Sequence, residues 1–236
     1  FLNKNDIVVN LIGQYINNDS DFIDLNLKGS LNLLNSCVKN NIKNIILIST
    51  INVYGNSINV SSNEESELSP QTNYGLIKLL TEELYRQFSR IYDLNITILR
   101  LSNIFGPNKK AGYISHLINS SVFNHQKISA YNNGNQYRDV LFIDDAIDGI
   151  IKSLKKPLKG FNIFNISSGT KFSINEIIKE IEKISNQKLN IEYTNEIPDE
   201  SCIWADNSKA KNVLNFSPKT SLHDGIETTI NYLKTH

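Results

Sequence analysis

The chain has 236 residues, 40% of them hydrophobic and 20% charged, and reads as a soluble globular chain with length for one large or two small cores. Its 24 Lys+Arg balance its 24 Asp+Glu; this neutrality argues against a nucleic-acid binder, which would carry a basic excess, and against a purely electrostatic membrane partner. No apolar run reaches the roughly 18 residues of a membrane-spanning helix, no signal peptide is visible, and Cys37 and Cys202 lack the spacing of a zinc site or a disulfide framework, so a cytoplasmic protein is expected.

The first residue is Phe1 and the sequence contains no Met, so the N-terminus is expected to be cut. Ile7 to Leu11 is a short β-rich run, a buried strand candidate. Residues 22–40 set Phe22, Leu25, Leu27, Leu31, Leu33, Leu34, Cys37 and Val38 near helical spacing, with Asp21 as the helix start and Cys37 as a buried structural thiol. Asn44 to Ser49 is a continuous apolar strand. Residues 55–73 are polar and include Pro70, which reads as a loop. Tyr74 to Tyr92 is a helix with Leu76, Leu79, Leu80, Leu84 and Phe88 on its apolar side, and Ile96 to Leu101 is a strand ended by Asn103 and Gly106-Pro107. A helix over 113–124, strands over 128–131 and 137–142, a helix over 144–155 and a strand from Phe161 to Ile166 follow. Helices over 174–185, 207–214 and 222–234, with a strand over 189–194, finish the chain.

Strand–helix alternation with all-apolar strands predicts an α/β fold, a parallel sheet covered on both faces. Ligands of such sheets bind at the carboxyl ends of the strands. Three strands there run into polar or glycine-containing turns: Leu11-Ile12-Gly13-Gln14, Ser49-Thr50-Ile51-Asn52 and Leu101-Ser102-Asn103.

The sharpest chemical signal is Tyr74-Gly75-Leu76-Ile77-Lys78, which puts a Tyr and a Lys on one helix face. A free tyrosine, with a pKa of about 10, is a poor base at neutral pH. A nearby ammonium favours the phenolate, and the pair can then move a proton at a hydroxyl or carbonyl carbon. That spacing is common by chance, but its setting is not. Ser49-Thr50 and Val53-Tyr54-Gly55 precede it; Leu99-Arg100-Leu101-Ser102-Asn103-Ile104-Phe105-Gly106-Pro107 follows. Then come Tyr137-Arg138-Asp139-Val140, Asn165-Ile166-Ser167-Ser168-Gly169 and Trp204-Ala205-Asp206.

In this order the motifs resemble those of the NAD-dependent sugar-nucleotide epimerase/dehydratase family, extended short-chain dehydrogenases/reductases, along nearly the whole chain. The resemblance implies a doubly wound, Rossmann-like parallel sheet, N-terminally incomplete, with a smaller interleaved α/β substrate-binding part. Residues 1–104, 137–170 and 224–236 would form the NAD-binding part, and 105–136 and 171–223 the substrate part. It implies catalytic roles for Tyr74, for Lys78, which holds the nicotinamide ribose and lowers the tyrosine pKa, and for Thr50, which bonds the reacting sugar hydroxyl. Leu11, Ile12, Gly13, Ser49 and Leu101 would contact the dinucleotide beside Tyr74 and Lys78. Asn26, in Asn26-Leu27-Lys28-Gly29-Ser30, would lie near it. Asn103 would touch the substrate, and Arg138 would pair with the nucleotide phosphates, as a guanidinium is suited to do. The implied activity is that of an isomerase, 4-epimerisation of a nucleoside-diphosphate sugar through a transient ketosugar, with NAD taking up and returning the hydride. The family also implies a homodimer, with no nucleic-acid, membrane or metal partner.

Three departures from the pattern matter. No GxGxxG or GxxGxxG occurs in these residues, so the pyrophosphate turn and the residue that discriminates NAD from NADP are expected upstream of Phe1. The 236 residues alone are therefore expected to bind NAD weakly and to turn over no substrate, with an exposed sheet edge near residues 7–11. Second, Ile51 and Asn52 follow Thr50 where dehydrating members carry Asp-Glu and decarboxylating members a Glu, so both of those reactions lose their extra catalyst. Third, the stretch Glu196-Ile197-Pro198-Asp199-Glu200 lacks the second phosphate arginine of many members.

A ketosugar reductase and a non-catalytic or truncated member of the fold stand as alternatives; intact Thr50, Tyr74 and Lys78 favour the enzyme. His116, His125, His223 and His236 lack metal-ligand spacing. Lys152, Lys155, Lys156 and Lys159 suit a helix C-terminus, and Ser167-Ser168-Gly169 a structural turn.

Overall fold

The computed structural model describes residues 3–13, 19–57, 59–109, 112–124, 126–197 and 202–235. Gln14, His125, Pro198, Asp199, Glu200 and His236 lie outside them. In chain order the elements are β1 (Ile7–Asn10), α1 (Asp19–Ile23), α2 (Gly29–Lys39), β2 (Asn44–Thr50), α3 (Asn73–Tyr92), β3 (Asn95–Leu101), β4 (Asn103–Phe105), α4 (Tyr113–Asn119) and β5 (Ile128–Ala130). Then come β6 (Tyr137–Phe142), α5 (Ile143–Lys155), β7 (Phe161–Ile166), β8 (Lys171–Ser173), α6 (Ile174–Ser185), β9 (Ile191–Tyr193), β10 (Cys202–Ile203), α7 (Ser208–Leu214) and α8 (Leu222–Thr235).

The main sheet is parallel throughout, in the order β1-β2-β3-β7. Its strands are apolar on both sides because both faces are covered. Ile45 and Leu47 point to one face and pack with Leu34, Cys37, Tyr85 and Phe88 of α2 and α3. Ile46 points to the other, where Leu99, Phe164 and Ile166 meet Ala146 of α5 and Ala210 and Leu214 of α7. This is the alternation that a strand pleat imposes, and it makes the predicted α/β sheet. Thr50 pairs with Leu101, and Leu101 with Ile166. Three strands thus end flush, and whatever follows them converges at one edge. β1 pairs only with β2 among the described residues.

A second small sheet centres on β6, which runs parallel to β4 and β10 and antiparallel to β8. β5 and β9 form a separate parallel pair. α8 packs on this side: Ile226 and Ile230 join Ile174, Ile177, Ile178 and Ile181 of α6 and Leu117 of α4 in one cluster. β4, β8 and β10 are two or three residues long, too short for a sequence period to show, and were not anticipated.

Three expectations are corrected. The helical run expected over 22–40 starts earlier, at Asp19, ends at Lys39, and carries a π-helical turn at Asp24–Lys28 between α1 and α2. The expected apolar side of α3 is only partly its buried side: Phe88 is buried, and Leu79 and Leu84 are half-buried against core clusters. Leu76 and Leu80 are 45% and 46% exposed, while Ile77, Lys78, Thr81, Glu82, Tyr85 and Phe88 face inward. The helix turns polar groups to the sheet because they answer Ser49 and Arg100 there. Finally, residues 55–73 are not a free loop. Ser57 N donates to Cys202 O at 2.7 Å, Ser62 N to Trp204 O at 3.1 Å and Asp206 N to Ser62 O at 2.9 Å, with a parallel bridge between Ser62 and Ala205.

Candidate active site

A cavity of about 420 Å³ opens where the strands of the main sheet end. Leu11, Ile12 and Gly13 form its floor beside Ser49, Thr50 and Asn52; Tyr74 and Lys78 come from α3, Leu101 and Asn103 from the end of β3 and the start of β4, and Arg138 from β6. Every expected site residue but Asn26 therefore lines one cavity.

Lys78 is almost wholly buried at 1% exposure. Its Nζ donates to Ile48 O at 2.7 Å and to Ile12 O at 3.2 Å, so it clamps the ends of β2 and the segment after β1. Burial pulls its pKa down to about 8, with Glu82 one turn on pushing back. Gly13 packs close here: a Cβ on it would stand 3.1 Å from Lys78 Nζ.

Thr50 caps the 3-10 turn Ile51–Tyr54: Asn52 N donates to Thr50 Oγ1 at 3.2 Å, and Thr50 Oγ1 donates to Asn52 Oδ1 at 3.1 Å. The Thr72 hydroxyl caps α3 through Gly75 N at 3.2 Å. Gly75 then lets the helix start close against that turn, since a Cβ would fall 2.8 Å from Asn52 O. These two caps set the start of α3 against the turn after Thr50, so that Thr50 and Tyr74 line the same cavity. The half-buried Tyr74 ring stacks on Phe22, with centroids 5.9 Å apart.

Asn26 lies outside the cavity wall, in the π-helical turn. It is buried, its Nδ2 donates to Phe22 O at 2.9 Å, and its Oδ1 has no partner among the described residues. Asn26 thus steadies the residue on which Tyr74 stacks.

Beneath the site runs a buried polar chain. Ser49 Oγ donates to Glu82. Glu82 takes Arg100 Nη2 at 2.7 Å and Nε at 3.1 Å, in a pair 1% and 3% exposed. Arg100 Nη1 donates to Tyr54 OH at 2.9 Å, and Tyr54 OH to Asn165 Oδ1 at 2.7 Å. The signal for it lay in β3, where an Arg in a buried strand calls for a buried acid, and Glu82 sits one turn beyond Lys78. Asp139, next to Arg138, is fully buried. It takes Ser168 N at 2.9 Å, Ser168 Oγ at 2.7 Å and Ala205 N at 3.3 Å, and burial pushes its carboxyl up. The Ser167–Gly169 turn is thus engaged by Asp139. Arg138 Nη1 donates to Tyr137 O at 2.8 Å and Nη2 to Gln136 Oε1 at 3.2 Å.

Sequence reasoning did not single out Lys109, Gly112, Tyr113 and Ser115, which form the far wall. They follow a three-residue strand, and no motif announces them. Among the described residues no group of His, Cys, Asp and Glu is placed to hold a metal ion, and no helix is long and apolar enough to cross a membrane.

The sequence profile of the NAD dependent epimerase/dehydratase family matches residues 1–167. The chain belongs to that family. Among relatives, an uncharacterized UDP-glucose epimerase of Bacillus subtilis is 32% identical over 89% of this chain and 66% of its own length. A UDP-glucuronate 4-epimerase of Thermodesulfobacterium geofontis is 32% identical over 90% of this chain and likewise 66% of its own length. The chain thus spans just under two thirds of these relatives. In structure it is similar to a UDP-glucuronic acid 4-epimerase from Bacillus cereus, solved with UDP-glucuronic acid and NAD. There the TM-score is 0.86 and the identity 30%, over 96% of this chain and 72% of that one. A UDP-glucose 4-epimerase from Thermotoga maritima, solved with UDP-glucose, superimposes with a TM-score of 0.88 at 26% identity, over 97% of this chain and 77% of that one. The epimerase/dehydratase fold is thus matched across nearly the whole of this chain.

Proposed function

We propose that this protein is an NAD-dependent 4-epimerase of a nucleoside-diphosphate sugar. The observation that carries the reading is the meeting of Thr50, Tyr74 and Lys78 on one cavity wall, with Gly13 beside them. The relatives named above support the class of substrate. We read the main sheet as the NAD side, and the parts over 105–136 and 171–223 as the sugar-nucleotide side.

The residues present fit the nicotinamide end of NAD: a Cβ on Gly13 would crowd Lys78 Nζ at 3.1 Å, and glycine leaves the space beside the ammonium open. NAD, when bound, supplies the hydride acceptor and donor. Lys78 holds the nicotinamide ribose and stabilises a phenolate on Tyr74. Tyr74 takes the proton from the sugar hydroxyl and gives it back after the ketosugar has turned. Thr50 fixes that hydroxyl, with its own position set by Asn52. Asn103 and Arg138 hold the sugar and the phosphates. Ile51 is fully buried in a separate apolar cluster, and Asn52 faces the cavity without an ionisable group. Water elimination has no carboxylate to serve it at those positions, which favours epimerisation.

The exposed Leu31 at 40%, Leu76 at 45% and Leu80 at 46% support pairing of two copies through the outer faces of α2 and α3. A cytoplasmic location fits a reaction on NAD and nucleotide sugars.

The test is a panel of UDP-, dTDP- and GDP-sugars with the full-length protein and NAD, with products resolved by chromatography. A 4-epimer of one of them is the expected product, and Tyr74→Phe should slow its formation by about 100-fold or more with little loss of stability. A dehydrated or net-reduced product, or a fully active Tyr74→Phe, would overturn the reading.

A further inference from the structure

Among the groups of the cavity lining that the proposed roles leave unused, Lys109 and Ser115 stand out. Lys109 lines the cavity but has no ion pair and no side-chain hydrogen bond among the described residues. Partial burial without a partner lowers its pKa. Ser115, on α4, lines the same cavity at 4% exposure, and its Oγ is buried with no partner. A buried hydroxyl left unsatisfied is costly, and native structures rarely keep one without reason. Lys78, Lys109 and Arg138 all line this cavity, and no Asp or Glu does so among the described residues. Charge and orphaned donor thus ask for the same thing, an oxyanion from outside the chain.

We propose that Lys109 and Ser115 form, with Arg138, the subsite that holds an oxyanion of the substrate. The inference rests on the nucleotide-sugar reading. It also names what serves where the stretch after Tyr193 carries no arginine: Lys109, a point charge in the same cavity lining, does the work of a second phosphate cation. Two oxyanions of such substrates qualify, the diphosphate and the carboxylate of an acidic sugar, and their chemistry toward an ammonium and a hydroxyl is the same.

The experiment is calorimetric titration of UDP, UDP-glucose and UDP-glucuronate into the full-length protein with NAD, alongside Lys109→Ala, Lys109→Arg and Ser115→Ala. Loss of a charged hydrogen bond should weaken binding about tenfold or more in Lys109→Ala, with most of it restored in Lys109→Arg. Ser115→Ala should bind more weakly too. Yet it should unfold at the same or higher urea concentration than the parent, because the free protein loses only an unsatisfied hydroxyl; a merely structural serine would lose stability instead. Equal weakening for all three ligands assigns the subsite to the diphosphate, and weakening for UDP-glucuronate alone assigns it to the sugar carboxylate. Unchanged affinity of Lys109→Ala for all three overturns the inference and leaves the functional reading standing. A parent that binds none of them removes both.

Discussion

Lys78 carries its charge in a place that holds almost no water. Its two partners are neutral backbone carbonyls, and the nearest carboxylate, Glu82, is already engaged by Arg100. Burying this charge costs stability, in keeping with the role proposed for Lys78, and its titration should show the cost. The folded pKa stands near 8 against an ordinary 10.5, chiefly because burial disfavours the charge. Between those two values the unfolded chain binds a proton that the folded chain does not. Stability from this group therefore rises as pH increases from 8 to 10.5, and is lost as pH falls through 8. Lys78→Met has no such group. Urea unfolding at pH 7 and pH 9.5 should show the parent gaining stability relative to Lys78→Met at the higher pH. The carbonyls that lose their donor do not titrate and cannot cause that change. A constant difference would mean that Lys78 keeps its proton in the folded state.

α3 shows how one element can serve the fold and the site at once, at a cost to each. Its first turn is pressed against the turn that carries Asn52, and the glycine at position 75 is the reason it fits. Gly75→Ala gains roughly 1 kcal/mol in helix propensity but must displace a backbone oxygen, an overpacking of about 1–3 kcal/mol. The expected outcome is a net loss of about 1 kcal/mol in denaturant unfolding, with a larger fall in turnover as Tyr74 swings from Thr50. Unchanged turnover would show that the close approach is not what positions Tyr74. Further along, Arg100→Met leaves Glu82 buried without its cation and should destabilise by about 3–5 kcal/mol; urea denaturation measures it, and a loss under 1 kcal/mol would mean that Glu82 takes up a proton instead. α3 also marks the limit of reading from sequence. The helix and its Tyr–Lys pair were legible, as were the apolar strands β2, β3 and β7, because period and motif are local. Which face turns inward was not legible in α3 itself; its signal lay in another element, Arg100 of β3, which calls for a buried acid. Leu76 and Leu80 look like core by composition, but the sheet beneath offers Ser49 and Arg100, and a hydrogen-bonded acid outweighs two leucines there. Lys109 and Ser115 were illegible for a different reason: their place in the cavity comes from the path of the chain after β4, not from any pattern of their own.

At the scale of the molecule, flush strand ends gather the site at one edge of the sheet and leave the opposite side of α3 without work. Its leucines, with Leu31 of α2, are the surface through which two copies are proposed to meet. Leu76→Glu with Leu80→Glu should therefore yield monomers in sedimentation, with secondary structure unchanged by circular dichroism; a dimer that persists would move the interface elsewhere. The segment between Thr50 and Tyr74 has a different fate. It is stitched to residues 202–206: Cys202 N donates to Asn56 Oδ1 at 3.0 Å across 146 positions of chain, and Trp204 Nε1 to Ser57 O at 2.7 Å. A ribosome adding roughly 5–20 residues per second needs about 7–30 s to deliver the second half of that stitch. By the end of that interval β1, β2 and β3 can have paired and Asn165 can have reached Ser62 and Glu64, but residues 55–57 still lack the strand end that holds them. The outer support of the turn that follows Thr50 is thus among the last parts of the molecule to set, and a chain halted before Trp204 carries Thr50 and Tyr74 on their local caps without the stitch around Asn56 and Ser57.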